Sequence, residues 1–434
     1  MPTEQEILDA LQFDLTLLNG PINTSNDPAY VLTYEFAGST QPDDHVWDNY
    51  TGWTPYSAAE KATYRAALDH IETIINVQFV EYNAALHGSE PDINAGKVDL
   101  DNFTSGVGGY SYSATSSGHL VSFDGFTVFK NTLDLTSRIS LILHELGHTL
   151  ANKHPFSGTD VLPDAFDSNK YTVMSYDVNP DNGVDSDALQ LYDLLSLQDR
   201  WGANMTTNIS DTTYTQARNP TVDSIWDTGG IDTFDASAQS SAVVLNLNEG
   251  SFSSFQRVDD VSIGYGVVIE NAIGGAADDT LTGNTAANEL TGNAGKDLIS
   301  GDKGRDIIKG GKDADKLLGE RGNDTLKGGN GRDVLKGGNG RDLLEGGIGD
   351  DRLTGGALED VFVFKSGHGR DTIQDFEDDI DTLKLGIDGI TTLAQVEAVA
   401  DRIDGNLVLD FGGNDRVTLK DITWDALSDD ITLI

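Results

Sequence analysis

His144-Glu145-Leu146-Gly147-His148 sets two imidazoles and a carboxylate at a spacing that can hold and use a metal ion. On a helix, His144 and His148 lie one turn apart on one face, so both can bind one ion. Glu145 adjoins His144 and can reach a water on that ion. A third imidazole, His154, lies too far along for the same helical face, so the chain must turn after His148 to bring it back. Three protein ligands leave a fourth position open, which marks a catalytic rather than a structural zinc site. In that reading the histidines are neutral and bind through ring nitrogens. Glu145 takes a proton from the metal-bound water. Val173-Met174-Ser175-Tyr176 follows downstream.

These residues need rigid carriers. Residues 136–150 carry Ile139, Leu141, Ile142, Leu143, Leu146 and Leu150 around nearly the whole circumference, which predicts a buried helix. Residues 57–76 predict an amphipathic helix, with Ser57 as N-cap and Glu60 at the capping-box position. Residues 187–201 predict another. Residues 3–18 place Ile7, Leu8, Leu11 and Leu15 at helical spacing. Strands are expected over 31–36, 77–82, 109–113 and 121–129, and later over 381–385 and 407–411.

From Gly274 the sequence repeats every nine residues without a slip, as far as the unit that begins at Gly355. The sixth position reads Asp279, Asn288, Asp297, Asp306, Asp315, Asp324, Asp333, Asp342, Asp351 and Asp360. The eighth is aliphatic from Leu281 to Leu353 and then Phe362. This is the glycine- and aspartate-rich repeat of calcium-binding parallel β-rolls. Glycine-rich residues make each turn, because glycine tolerates positive φ. Three further residues form a short strand whose aliphatic side chain points inward. Two repeats complete one coil, so strands stack about 4.8 Å apart and aspartates of successive coils can share calcium with turn carbonyls. One inward aliphatic per repeat is a thin core, so the roll is expected to fold poorly without calcium. Ala277, Ala286, Asp313 and Leu358 replace the fourth-position glycine, which predicts weaker sites at the ends of the roll.

The chain has 434 residues, enough for two or three domains, and a formal net charge of -43. That charge argues against nucleic acid and anionic membranes as partners. No cysteine is present, which excludes disulfides, thiol catalysis and cysteine–zinc sites. No apolar run is long enough for a transmembrane helix, so no membrane insertion is expected. The acidic N-terminus lacks the pattern of a secretory signal peptide. His45, His70, His87, His119 and His368 are scattered and receive no role.

The three histidines with the methionine turn match the metzincin signature. The chain resembles the serralysin family of secreted metallopeptidases. Asp193 to Asn204, Ile225 to Asp235 and Ile269 to Gly275 resemble segments of that family in the family's order. The resemblance implies an α+β metzincin catalytic domain followed by an all-β parallel β-roll (RTX) domain. It implies an N-terminal helix over 1–20 that is a candidate short propeptide, a zinc metallopeptidase domain over 21–210 and a connection over 211–273. The RTX roll then covers 274–364, and a C-terminal β region with a secretion signal covers 365–434. It also implies that Met174 packs beneath the zinc pocket. Tyr176 would bind zinc in the resting enzyme and swing off to stabilise the tetrahedral intermediate.

The implied activity is that of a secreted zinc endopeptidase acting on extended polypeptides, with one catalytic Zn2+ and several structural Ca2+. The substrate would pair with an edge strand at 109–113, and residues 164–171 would border the pocket beyond the scissile bond. Further implied partners are a proteinaceous inhibitor and a type I secretion apparatus, and the expected state is a monomer. The alternative is a catalytically weak or inactive relative kept as a calcium-dependent binding protein. One departure concerns the turn after His148. The family has glycine where this chain has Ala151, and alanine costs about 1 kcal/mol in a left-handed conformation. Asn152 is therefore expected to take the turn one residue late.

Overall fold

The computed structural model describes the whole chain except residues 14–19, 43–49, 88–89, 102–103, 116–119, 182 and 216–221. It divides into two units, the first comprising Met1–Ile209, Arg218–Thr228 and Ser262–Val267, the second Ser210–Ala217, Gly229–Val261 and Val268–Ile434.

In the first unit, α1 spans Glu4–Leu11 and opens on a Thr3/Glu6 capping box. It is shorter than the expected 3–18, because Gln12 is extended; Leu15 lies outside the described residues. Helix α2 (Ala58–Glu72) has the expected Ser57/Glu60 capping box and buries Tyr64, Ala67, Leu68 and Ile71 at helical spacing. A single turn, α3, covers Ala84–His87. The sheet contains β1 (Tyr30–Phe36), β2 (Val77–Glu81), β3 (Ile93–Val98), β4 (Gly106–Ala114) and β5 (Leu120–Lys130), in the order β2-β1-β3-β5-β4. All pairings are parallel except β4 on β5, so β4 is an antiparallel edge strand.

Helix α4 (Ile139–Thr149) carries His144 and His148, and its residues 142–147 are all buried. It starts three residues later than expected, since Arg138 is not helical. Helix α5 (Leu191–Trp201) also starts late. The amides just before it are engaged elsewhere, Ser186 by Asn169 Oδ1 (3.2 Å) and Leu189 by His70 Nε2 (3.1 Å).

The second unit is built on a parallel β-roll, with an antiparallel meander over residues 400–419. Leu290, Ile308, Leu326, Leu344 and Phe362 stack in register on one sheet, and Leu281, Ile299, Leu317, Leu335 and Leu353 on the other. All are at most 2% exposed. Partners lie eighteen residues apart, two repeats per coil. Strands such as Lys316–Gly322 exceed the expected three residues, because pairing continues into the turn at Glu320–Gly338 and Arg321–Asn339. Asp313 and Leu358 hold the positive φ (74° and 80°) of the glycines they replace, whereas Ala277 and Ala286 do not.

Candidate metal sites

His144 Nε2 and His148 Nε2 lie 3.2 Å and 3.0 Å from His154 Nε2. The outer nitrogens of the helical pair face carbonyls, His144 Nδ1 at 2.6 Å from Val173 O and His148 Nδ1 at 2.9 Å from Asn152 O. Each of those Nδ1 atoms therefore carries the proton, and its Nε2 turns a lone pair inward. Burial lowers the pKa of all three, to about 3 for His148 and about 4 for His154, so they are neutral at physiological pH. The three Nε2 atoms converge on one point, and a cation there would take up a lone pair from each neutral ring. The donor set and its carbonyl supports fit a zinc ion.

The turn that brings His154 back departs from expectation. Ala151 itself is left-handed, at φ 77°, and Asn152 is not. Asn152 is committed elsewhere. Its N–H donates to Gly147 O (2.9 Å), and its Oδ1 accepts from Ser196 Oγ (2.7 Å). Ala151 O accepts from Phe13 N–H and Leu11 O from Lys153 N–H, which ties this turn to the N-terminal segment.

Met174 is fully buried, and a β-carbon on Gly147 would overlap its sulfur, so the methionine turn packs beneath α4. Asp193 fixes that turn. Its carboxylate accepts from Thr172 Oγ1 (2.6 Å), Val173 N–H (2.8 Å) and the α5 amide of Gln190 (2.8 Å). The same Val173 supports His144 through its carbonyl.

Glu145 is 5% exposed, and burial pushes its carboxyl up to about 8, opposed by a backbone hydrogen bond with Gly108. A positive ion on the histidines acts in the opposite sense. Strand β4 reaches α4 this closely because Gly106 and Gly108 lack side chains. A β-carbon on Gly106 would stand 2.7 Å from Glu145 Oε1, and one on Gly108 would overlap the Glu145 carbonyl. Tyr176 is 68% exposed rather than buried. Its ring lies over His144 and His154, with centroids at 5.5 Å and 4.6 Å. A cavity of about 930 Å³ runs from the histidines along β4, over Gly109 to Tyr112. A second, of about 610 Å³, also borders His144, Glu145 and Tyr176 and reaches Asn169. Asn169 belongs to the 164–171 segment expected beside the pocket.

In the second unit the aspartates form a ladder. The N–H of Asp297 donates to Asp315 Oδ1 (2.9 Å), that of Asp315 to Asp333 Oδ1 (2.8 Å) and that of Asp333 to Asp351 Oδ1 (2.8 Å). Asp306, Asp324, Asp342 and Asp360 repeat this on the other side. All eight keep Oδ2 buried without a hydrogen-bond partner. Burial raises their carboxyls, to about 7 for Asp306, Asp315 and Asp360. A row of orphaned anionic oxygens is what a hard cation would satisfy. Asp279 differs, since both its oxygens accept backbone N–H groups, from Val243 and Gly275. Sequence reasoning missed Asp371 and Asp381, whose Oδ1 atoms receive the N–H groups of Asp351 and Asp360 and extend the ladder beyond the repeats.

An α+β unit with three converging histidines over a methionine turn, in one chain with a parallel β-roll, defines the class as metzincin-type with an RTX domain. The chain belongs to the serralysin family, whose model "Peptidase M10 serralysin C terminal" matches residues 198–429. It is 34% identical to Serralysin from Photorhabdus laumondii subsp. laumondii over 291 residues, 59% of this chain and 59% of that protein. Metallopeptidase AprA from Pseudomonas marginalis is 30% identical over 58% of this chain and 60% of its own length. Serralysin G from Dickeya chrysanthemi is 32% identical over 58% and 59%. The chain thus matches 59–60% of the length of these relatives.

Proposed function

We propose that this chain is a secreted zinc endopeptidase whose RTX roll is stabilised by calcium. The observation that carries the reading is the convergence of three histidine Nε2 atoms beside a buried Glu145, at the head of a cavity that follows an edge strand. Zinc held by His144, His148 and His154 would supply Lewis acidity for the scissile carbonyl and for water. Glu145 takes the proton of the attacking water and delivers it to the departing amine. Tyr176, whose ring lies beside His144 and His154, would serve as an exchangeable fourth ligand, and its hydroxyl would donate to the developing oxyanion. The peptide pairs with β4, the last strand of the sheet order, and is aligned past Glu145. A casein or gelatin zymogram tests this. Clearing should vanish with a zinc chelator and return with zinc, and chelator-resistant clearing contradicts it.

The Oδ2 atoms of Asp297, Asp306, Asp315, Asp324, Asp333, Asp342, Asp351 and Asp360 would bind calcium together with turn carbonyls. Asp279 would contribute a weaker end site. We assign the peptidase domain to 21–210, the connection to 211–273, the roll to 274–364 and a C-terminal β region with a type I secretion signal to 365–434. Folding after export would supply the calcium that the cytosol lacks. Deletion of 380–434 should hold the protein inside cells carrying a matching transporter; efficient secretion of that truncation would refute the assignment.

A further inference from the structure

The N-terminal segment reaches the cleft. The apolar face of α1 (Ile7, Ala10 and Leu11) is fully buried. Beyond it, Gln12 Nε2 donates to Ser196 O (2.8 Å) and to Asp199 Oδ2 (3.0 Å) of α5. Phe13 is then held at both backbone groups. Its N–H donates to Ala151 O (3.2 Å), and its carbonyl accepts from Arg200 Nη2 (2.9 Å). These two bonds anchor the backbone from which the ring projects. The ring stands in the wall of the 930 Å³ cavity that contains the three histidines, and it is 39% exposed there. It meets Tyr110 of β4 at 5.8 Å, and Tyr110 is stacked in turn on Phe123 at 5.9 Å. A partly exposed phenylalanine beside a backed tyrosine, on a strand edge that continues from Glu145, is an apolar subsite rather than a core contact.

We propose that Phe13 is a substrate-contacting specificity residue, forming with Tyr110 a subsite for an aromatic side chain of the bound peptide. The proposal rests on the peptide-cleft reading above. It makes residues 4–13 part of the working site. Removal of residues 1–20 as a propeptide would take away this wall, along with the backbone bonds that brace the turn before His154. An extended chain paired with β4 directs alternate side chains toward the sheet face, so one register of the peptide should carry the preference.

Binding tests this independently of cleavage. In full-length Glu145→Gln protein loaded with zinc, anisotropy would be measured for fluorescein-labelled alanine- and glycine-based peptides with one phenylalanine moved along the chain. One register should bind about tenfold tighter than the peptide without phenylalanine, the scale of an added aromatic contact. Phe13→Ala should erase that preference and leave the phenylalanine-free peptide within about twofold. Phe13→Leu, which keeps apolar bulk at the backbone-anchored position, should retain part of it, and zinc content and circular dichroism should match the parent. No preferred register, or equal weakening of every peptide in both variants, would overturn the proposal. A preference that depends on Phe13, in a chain that cleaves nothing when Glu145 is intact, would sustain the subsite and sink the peptidase reading.

Discussion

Asp333→Asn should change the stability of the roll in opposite directions with and without calcium. Asp333 Oδ1 accepts the Asp315 N–H at 2.8 Å, and an amide oxygen can keep that bond. Its Oδ2 is buried and receives nothing, and burial, reinforced by the charge of Asp351, pushes the carboxyl up to about 6. Asn288 already occupies the equivalent position. Its Oδ1 accepts Asn284 N–H (2.8 Å), and its Nδ2 donates to Glu270 O (2.9 Å). A carboxyl raised from 3.8 to about 6 by burial costs up to about 3 kcal/mol to keep ionised at neutral pH, and the amide removes that charge. In EGTA at neutral pH, Asp333→Asn should therefore stabilise the roll by about 1–3 kcal/mol, the charge being the part removed. In millimolar calcium the same change deletes an anionic ligand and should destabilise it by a similar amount. Urea unfolding of the full chain, followed by circular dichroism in both conditions, gives both signs. The same sign with and without calcium would refute the view that Oδ2 is reserved for a cation.

In EGTA the ladder carboxyls bind protons more tightly folded than unfolded, with Asp306, Asp315 and Asp360 raised to about 7. The stability they contribute is full below about pH 4 and lost as the pH rises through 6 to 7. The urea midpoint of the roll should thus be higher near pH 5 than at pH 7.5, and a flat profile would contradict this. Asp193→Ala strands the buried amides of Val173 and Gln190, which should cost the first unit about 2–6 kcal/mol and weaken zinc retention in a chelator competition. An unchanged melting temperature would show that the methionine turn is held by other contacts. Tyr176→Phe should lower kcat on the order of a hundredfold with little change in KM, as loss of one oxyanion donor does. An unchanged kcat would make Tyr176 a packing residue.

The features legible in the sequence are those whose function or fold imposes a spacing. One metal requires His144 and His148 one turn apart, and a coiled roll requires an aliphatic residue and an aspartate every nine residues. Features that arise from distant approach left little local signal. Strand β3 is buried throughout, yet Asn94, Gly96 and Lys97 interrupt its apolar pattern. Lys97 is tolerated because Glu60 Oε1 lies 2.6 Å away, and Gly96 because Trp53 packs against it. Asp371 and Asp381 continue the ladder twenty and twenty-one residues on, off the eighteen-residue coil, so the repeat does not reveal them. Gly106 and Gly108 read locally as strand weaknesses and become meaningful only where α4 presses on β4. The reading of Ala151 failed for a related reason. Local preference favours a left-handed asparagine, but Asn152 is bound by Gly147, His148 and Ser196, and alanine takes the strained position instead.

The central claim is that Glu145 handles the proton and is not a metal ligand, while His144, His148 and His154 hold the metal. Glu145→Ala and His148→Ala, measured side by side for bound zinc by elemental analysis and for cleavage of a quenched peptide, test it most directly. Glu145→Ala should retain zinc with proteolysis almost abolished, and His148→Ala should lose both. Full proteolytic activity in Glu145→Ala would contradict it.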